Sequence, residues 1–162
     1  MVLKVLSATG HRPEKLYGYN INQESYYKLS LKMRSFILTH DYDHFISGMA
    51  LGLDTIYALT VLRLKKDFPE KNYILECAIP CLNHSIKWNT GDQYRYKNIL
   101  EDSDIVTYVS EEPYNNYCMQ KRNEYMVDHS LAVIALWDGS RGGTKNCIDY
   151  ANKKGVEVFN IW

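Results

Sequence analysis

Six short apolar segments alternate with amphipathic segments along this chain of 162 residues. The predicted strands cover residues 2–8, 44–47, 72–79, 105–109, 132–137 and 156–161. The first predicted helix follows a capping pair at residues 20–23 and ends near residue 39. The other predicted helices cover residues 51–68, 92–102, 117–129 and 144–154. This alternation predicts an α/β fold with a mostly parallel sheet of about six strands and helices on both faces. The length favours a single domain over residues 1–162.

The segment AVIALWDGSRGGT at residues 132–144 reads as a strand, a glycine loop and the start of a helix. Such a junction directs unpaired backbone N–H groups and the positive end of a helix towards one point. It therefore predicts a phosphate site at Gly142, Gly143 and Thr144. The loop is neither a Walker loop nor a GxGxxG motif, and a turn from strand to helix also needs glycine for geometric reasons alone.

Two further loops follow predicted strands and carry polar residues. In TGHRPEKL, Arg12 is placed to reach out from the end of the first strand, although an ordinary solvated loop residue is the alternative. In SGMALGLD, Asp54 suits a helix N-terminus. A carboxylate there could equally bind ribose hydroxyls, act as a base or hold Arg12.

Because the carboxyl ends of parallel strands meet at one edge of the sheet, the three loops predict a nucleotide pocket at that edge. Trp88 in a polar loop could stack on a base or cover the edge of the core, and Arg122 could line the pocket or form a surface salt bridge. We predict that Met119, Arg122, Tyr125 and Met126 lie together on the surface of their helix. The predicted ligand-binding residues are Thr9, Gly10, Arg12, Ser47, Gly48, Met49, Asp54, Trp88, Arg122, Asn123, Asp138, Gly139, Ser140, Gly142, Gly143 and Thr144.

Composition and spacing argue against several other functions. Lysine plus arginine and aspartate plus glutamate number 19 each, so broad nucleic-acid binding is disfavoured although a local patch would still allow it. Four cysteines suit reduced thiols in the cytoplasm, and neither a signal peptide nor a membrane span is predicted. Cys77, Cys81 and His84 match no tight zinc spacing, so we predict no metal and no cofactor. Asp54, Glu124 and Asp128 are the candidate catalytic carboxylates.

Together TGHRPEKL, SGMALGLD and RNEYMVDHSLAVIALWDGSRGGT resemble the SLOG superfamily, most closely its YpsA-like branch. SGMALGLD and the Arg122-Asn123 pair also resemble the related DNA-processing Smf/DprA proteins. The resemblance implies a Rossmann-like fold, a nucleotide-derived ligand at the strand ends and, because members often pair, a homo-oligomer. Cytokinin-activating LOG relatives cleave a nucleoside monophosphate, DNA-processing relatives bind single strands, and defence-associated relatives sense nucleotide signals.

Departures from those relatives narrow the choice of function. The LOG signature PGGxGTxxE has a catalytic glutamate, whereas this chain has GSRGGTKNCID without a glutamate after Thr144. The DNA-processing relatives have a basic surface and extra domains, which a neutral chain of one predicted domain lacks. We therefore expect a protein that senses or sequesters a nucleotide-type ligand, in keeping with a phage-encoded role, rather than an enzyme. The alternatives are a nucleotide N-glycosidase and a regulator associated with single-stranded nucleic acid.

Overall fold

Six strands form one sheet in the computed structural model, which describes residues 2–162. The strands are β1 (Val5–Gly10), β2 (His44–Ser47), β3 (Ile74–Ile79), β4 (Ile105–Tyr108), β5 (Ala132–Leu136) and β6 (Glu157–Asn160). The helices are α1 (Glu24–Thr39), α2 (Leu53–Asp67), α3 (Thr90–Asp102), α4 (Cys118–Asp128) and α5 (Gly143–Lys154), with short 3₁₀ turns at Pro13–Lys15 and Pro69–Lys71. Every pair of neighbouring strands is parallel, which confirms the predicted Rossmann-like α/β fold.

The two faces of the sheet are covered by different helices. The face that carries Leu6, Ala8 and Ile134 packs in the main core against α1, α2 and α3. Successive strand residues point to opposite faces, so Val133 instead packs on the other face with Cys147 and Ala151 of α5. The main core thus lies between the sheet and the three helices α1, α2 and α3.

The strand order is β4-β3-β2-β1-β5-β6. From β1 the chain builds the sheet outwards to β4, crosses back through α4, and adds β5 on the other side of β1. The direction of building therefore reverses between β1 and β5. In open α/β sheets a crevice for ligands forms outside the carboxyl ends of the strands at such a point.

Several predicted boundaries were wrong by a few residues. β1 covers Val5–Gly10 instead of residues 2–8 because its last residues, Thr9 and Gly10, pair with Ala135 and Leu136 of β5. The helix predicted at residues 51–68 is Leu53–Asp67, since Gly52 at φ 90° terminates the preceding turn.

The predicted capping pair at residues 20–23 was also wrong. Gln23 precedes α1 but makes no side-chain cap, because its amide donates to the carbonyls of Tyr17 and Asn20 instead. A cap does occur at α3, which begins at Thr90 rather than residue 92: the N–H of Asp92 donates to Oδ1 of Asn89 over 2.8 Å.

Other sequence expectations concern thiols and membranes. All four cysteines are free and buried, and burial raises the pKa of the Cys77 thiol to about 12. Among residues 2–162, none of the helices has the length and apolarity needed to cross a membrane. The cytoplasmic location and the single domain stay predictions.

Candidate functional site

A cavity of about 370 Å³ opens at the carboxyl ends of β1 and β5, where the strand order reverses. Residues from four places in the chain line it: the loop after β1, the start of α2, the middle of α4 and the start of α5. The predicted ligand residues among them are Thr9, Gly10, Arg12, Asp54, Arg122, Asn123, Gly142, Gly143 and Thr144. The fold thus brings together residues that the sequence separates by more than a hundred positions. We call this space the switch-point cavity.

The glycine loop contributes the first turn of α5 to the switch-point cavity. The first hydrogen bond of this turn runs from the N–H of Asn146 to the carbonyl of Gly142 over 3.0 Å, so the N–H groups of residues 143–145 precede the helical ladder. Gly142 has φ 145°, a conformation that side chains disfavour, whereas a Cβ added at Gly143 would meet no atom within 4 Å. The loop therefore presents backbone donors and open space at the positive end of a helix of 12 residues.

Lys15 connects the loop after β1 to the glycine loop. Its ammonium donates to Oγ of Ser140 and to the carbonyl of Arg141, both over 2.9 Å. Lys15 also lines the switch-point cavity, so a positive charge lies beside the first turn of α5. This arrangement combines helix N–H donors with a cation, which is the chemistry that binds phosphate.

His11 and Asp138 hold the two loops together from behind. Nε2 of His11 lies 2.7 Å from Oδ1 of Asp138, and the His11 side chain is buried against the edge of Trp162. Hydrogen bonds from Ser140, with a further one from His11, hold the pKa of the Asp138 carboxyl well below its usual range. Asp138 and Ser140 thus shape the glycine loop and do not line the cavity.

Asp54 and Arg122 form a buried ion pair at the base of the cavity. Oδ2 of Asp54 lies 3.7 Å from Nη1 of Arg122 and accepts the N–H of Ala50 over 3.2 Å. Burial raises the pKa of Asp54, while the guanidinium of Arg122 opposes that rise. Arg122 also donates to the carbonyl of Gly48 and, over 3.2 Å, to Oδ1 of Asn123.

Arg122 and Met126, which we predicted to lie together on the surface of their helix, face the interior of the protein. Both side chains are buried, because α4 packs on the sheet with this face and the guanidinium finds a carboxylate and a carbonyl inside. Asn123 is buried beside them, and its amide donates to the carbonyl of Gly143 over 3.4 Å. The middle of α4 thereby contacts the start of α5 directly.

The residues of the second loop serve packing. A Cβ at Gly48 would lie 2.6 Å from Nη1 of Arg122, so glycine makes room for the buried guanidinium. Oγ of Ser47 donates to the carbonyl of Asp54 over 2.8 Å, and Met49 is fully buried with φ 59°. Ser47, Gly48 and Met49, which we predicted to bind the ligand, therefore do not line the cavity, and neither does Gly139.

Of the three candidate catalytic carboxylates, Asp54 alone lines the switch-point cavity. Asp128 is exposed and accepts a hydrogen bond from the hydroxyl of Tyr150 over 2.9 Å. Glu124 lies on the turn of α4 after Asn123 and lines neither this cavity nor its neighbour. Within residues 2–162, histidine, cysteine, aspartate and glutamate form no group of three or more that could hold a metal ion.

Comparison with known proteins identifies the family and the fold. The model of the YpsA family, described as the YspA SLOG family, matches residues 6–159. The chain belongs to this SLOG family. It is 36% identical over 137 residues to the uncharacterized SPbeta prophage-derived protein YoqJ of Bacillus subtilis, covering 78% of this chain and 79% of that protein. It is 25% identical over 146 residues to the UPF0398 protein BH1768 of Halalkalibacterium halodurans, covering 88% and 76%.

Solved structures of DNA processing protein A share the SLOG fold. The Streptococcus pneumoniae protein superposes with a TM-score of 0.66 at 14% identity over 98% of this chain. The Helicobacter pylori protein, which has a described mode of binding single-stranded DNA, superposes with a TM-score of 0.65 at 16% identity over 97% of this chain. This SLOG chain spans 50% and 64% of those two proteins, so the likeness concerns the fold.

Sequence reasoning missed several residues that line the candidate site. His11, Glu14, Lys15, Met119 and Met126 also line the switch-point cavity. The signal for Lys15 was present, since Pro13 begins a 3₁₀ turn and places the side chain two residues later beside the glycine loop. Trp88, which we predicted to bind the ligand, lies in an adjoining cavity of about 570 Å³ rather than in the switch-point cavity itself.

Proposed function

We propose that this SLOG protein binds a nucleotide-type ligand, with a phosphate of the ligand in the switch-point cavity. The observation that carries the proposal is the meeting of two independent phosphate-binding features there. The first is the set of backbone N–H groups at the start of α5 that precede the helical hydrogen bonds. The second is the ammonium of Lys15, whose hydrogen bonds to Ser140 and Arg141 connect the loops after β1 and β5.

The other residues of the cavity complement such a ligand. Arg12 is exposed at the mouth and adds positive charge, although the whole chain has a formal net charge of zero. A carboxylate suits ribose hydroxyls, and Asp54 offers one at the base, held by Arg122. We assign Gly142, Gly143 and Thr144 to the phosphate and Asp54 to the ribose.

The function that we propose for this site is to sense or sequester a signalling nucleotide. The SPbeta prophage origin of a relative with 36% identity supports a phage-encoded role. We further propose that the protein acts in the cytoplasm as a homo-oligomer.

Gly143 offers a matched pair of variants for the test. Its added Cβ meets no atom, so Gly143→Ala should leave fold and binding intact, whereas Gly143→Asp introduces a carboxylate where the phosphate would lie. In a thermal-shift screen with mononucleotides, dinucleotides and ADP-ribose, we expect a ligand at about 100 times its Kd to stabilise the wild type by about 2.7 kcal/mol. Gly143→Asp should remove that shift. Equal shifts in both variants would refute the phosphate assignment.

An N-glycosidase is the second candidate, and the position of Asp54 favours it. A carboxylate beside the ribose could stabilise an oxocarbenium ion as the base leaves. Chromatography of the ligand after incubation separates the two functions: intact nucleotide supports a binding protein, and free base with ribose phosphate supports the enzyme. If single-stranded DNA stabilises the protein and none of the nucleotides does, both proposed functions are contradicted. Binding of single-stranded DNA, as in the Helicobacter pylori protein, would then be favoured.

A further inference from the structure

A second cavity of about 570 Å³ adjoins the switch-point cavity and has a different chemical character. Arg12, Glu14, Ala50 and Met119 line both, so the two spaces are neighbours across these side chains. The loop between β3 and α3 supplies much of the lining of this second cavity. We call this space the aromatic cavity.

Trp88 is held in place as one wall of the aromatic cavity. Its ring makes edge contacts with His84, at 5.0 Å between ring centroids, and with Tyr96, at 5.3 Å. Tyr19 and Tyr114 line the same cavity with 52% and 63% of their surface exposed. Aromatic side chains that line a cavity and remain partly exposed are the usual platform on which bases stack.

His84 supplies a hydrogen-bond acceptor in this cavity. A carbonyl can only accept, so the Nε2 atom that lies 3.0 Å from the carbonyl of Met49 carries the proton. Burial lowers the pKa of His84 to about 4, which leaves the ring neutral near pH 7. Nδ1 is then an acceptor, and the hydrogen bond of this ring within residues 2–162 runs through Nε2.

Asn83, the preceding residue, supplies a donor in the same cavity. Its Oδ1 accepts the N–H of Tyr114 over 2.9 Å, which fixes the orientation of the amide. Its Nδ2 group has no partner within the described part of the chain. The edge of a nucleobase pairs a ring nitrogen with a neighbouring exocyclic group, so a donor and an acceptor in one cavity can bind a base. The double ring of a purine offers the larger surface for stacking on Trp88.

We propose that the aromatic cavity is the subsite for a purine base, so that the ligand of this protein is a purine nucleotide. The inference rests on the proposed function, since the phosphate of the same molecule would lie in the switch-point cavity. The base would stack on Trp88, and Asn83 and His84 would bind its edge. Arg12, which lines both cavities, would lie between base and phosphate.

Three probes separate the two subsites when their binding is measured by titration calorimetry. Binding of AMP should depend on both Trp88 and Gly143. Binding of adenosine should depend on Trp88 alone, and binding of ribose 5-phosphate should depend on Gly143 alone. We expect Trp88→Ala to weaken AMP about 10-fold or more, as loss of one stacked base does. Trp88→Phe should keep most of the affinity. Gly143→Asp should abolish binding of ribose 5-phosphate while adenosine binds as in the wild type.

The outcomes of these titrations distinguish failure of the base subsite from failure of the phosphate site. If Trp88→Ala weakens AMP and ribose 5-phosphate equally, or leaves both unchanged, the base subsite is refuted while the phosphate site stands. If adenosine binds through Trp88 but ribose 5-phosphate does not bind, the proposed phosphate site is refuted instead. CMP binding as tightly as AMP and GMP would overturn the purine assignment, and the comparison of AMP with GMP identifies the base. Thermal unfolding of each variant checks that it folds.

Discussion

At the scale of single residues, the most consequential contact is the buried pair of Asp54 and Arg122, each about 5% exposed. We predict that Arg122→Met destabilises the protein by about 3–5 kcal/mol, because the Asp54 carboxylate stays buried without its partner. The double variant with Asp54→Asn removes that charge and should recover part of the loss, leaving the cost of the unpaired Gly48 carbonyl. Urea unfolding of the wild type and of these two variants measures the differences in unfolding free energy. A cost below about 1 kcal/mol, as for a surface pair, would contradict it.

His84 makes the stability depend on pH in a definite direction. Its pKa is about 4 in the folded protein and 6.5 in the reference state, so between these values the unfolded chain binds a proton that the folded chain does not. The contribution of His84 to the free energy of unfolding should therefore be fully present above the higher pKa and be lost as the pH falls through the lower one. We expect a total loss of about 1–3 kcal/mol, because the ring is partly accessible to solvent. His84→Gln keeps a side-chain N–H for the Met49 carbonyl but does not titrate. Equal pH slopes of the unfolding free energy in both proteins would show the assignment to be wrong.

At the scale of elements, hydrophobic periodicity predicted every strand and helix and missed several ends. The ends depend on neighbours that a local pattern does not contain: Thr9 and Gly10 belong to β1 because β5 pairs with them. The roles of the loop glycines also depend on distant neighbours. The sequence predicted ligand turns at both Gly48 and Gly143, yet a Cβ would meet Arg122 at the first and open space at the second.

The difference between those two glycines has a physical cause. A glycine pattern shows that something approaches the backbone closely, and it does not show whether a ligand or a side chain of the same protein does so. The buried environment of Arg122 could not be predicted for a related reason: the carboxylate that compensates its charge lies 68 positions earlier, on α2. Lys15, by contrast, could have been found, because the strand-end rule already placed its loop beside residues 138–144.

At the scale of the whole molecule, the proposed ligand would join parts of the sheet that the chain builds separately. β1 and β5 meet at the point where the strand order reverses; the switch-point cavity opens there and the aromatic cavity adjoins it. A groove of about 690 Å³ between α1 and α2 lies elsewhere and is lined by Tyr27, Leu31 and Arg34 among others. A bound ligand raises local stability where it binds, so hydrogen exchange distinguishes the two regions.

Hydrogen exchange with and without AMP should therefore show protection in limited segments. We expect slower exchange at residues 10–16, 82–90 and 142–147, because phosphate and base would order these backbone N–H groups, and no change in the rates along the groove between α1 and α2. Gly143→Asp with the same AMP concentration is the control, and its exchange should match that of the free protein. Protection concentrated in the groove between α1 and α2, and equal in the variant, would place the ligand away from the switch-point cavity and contradict the proposed site.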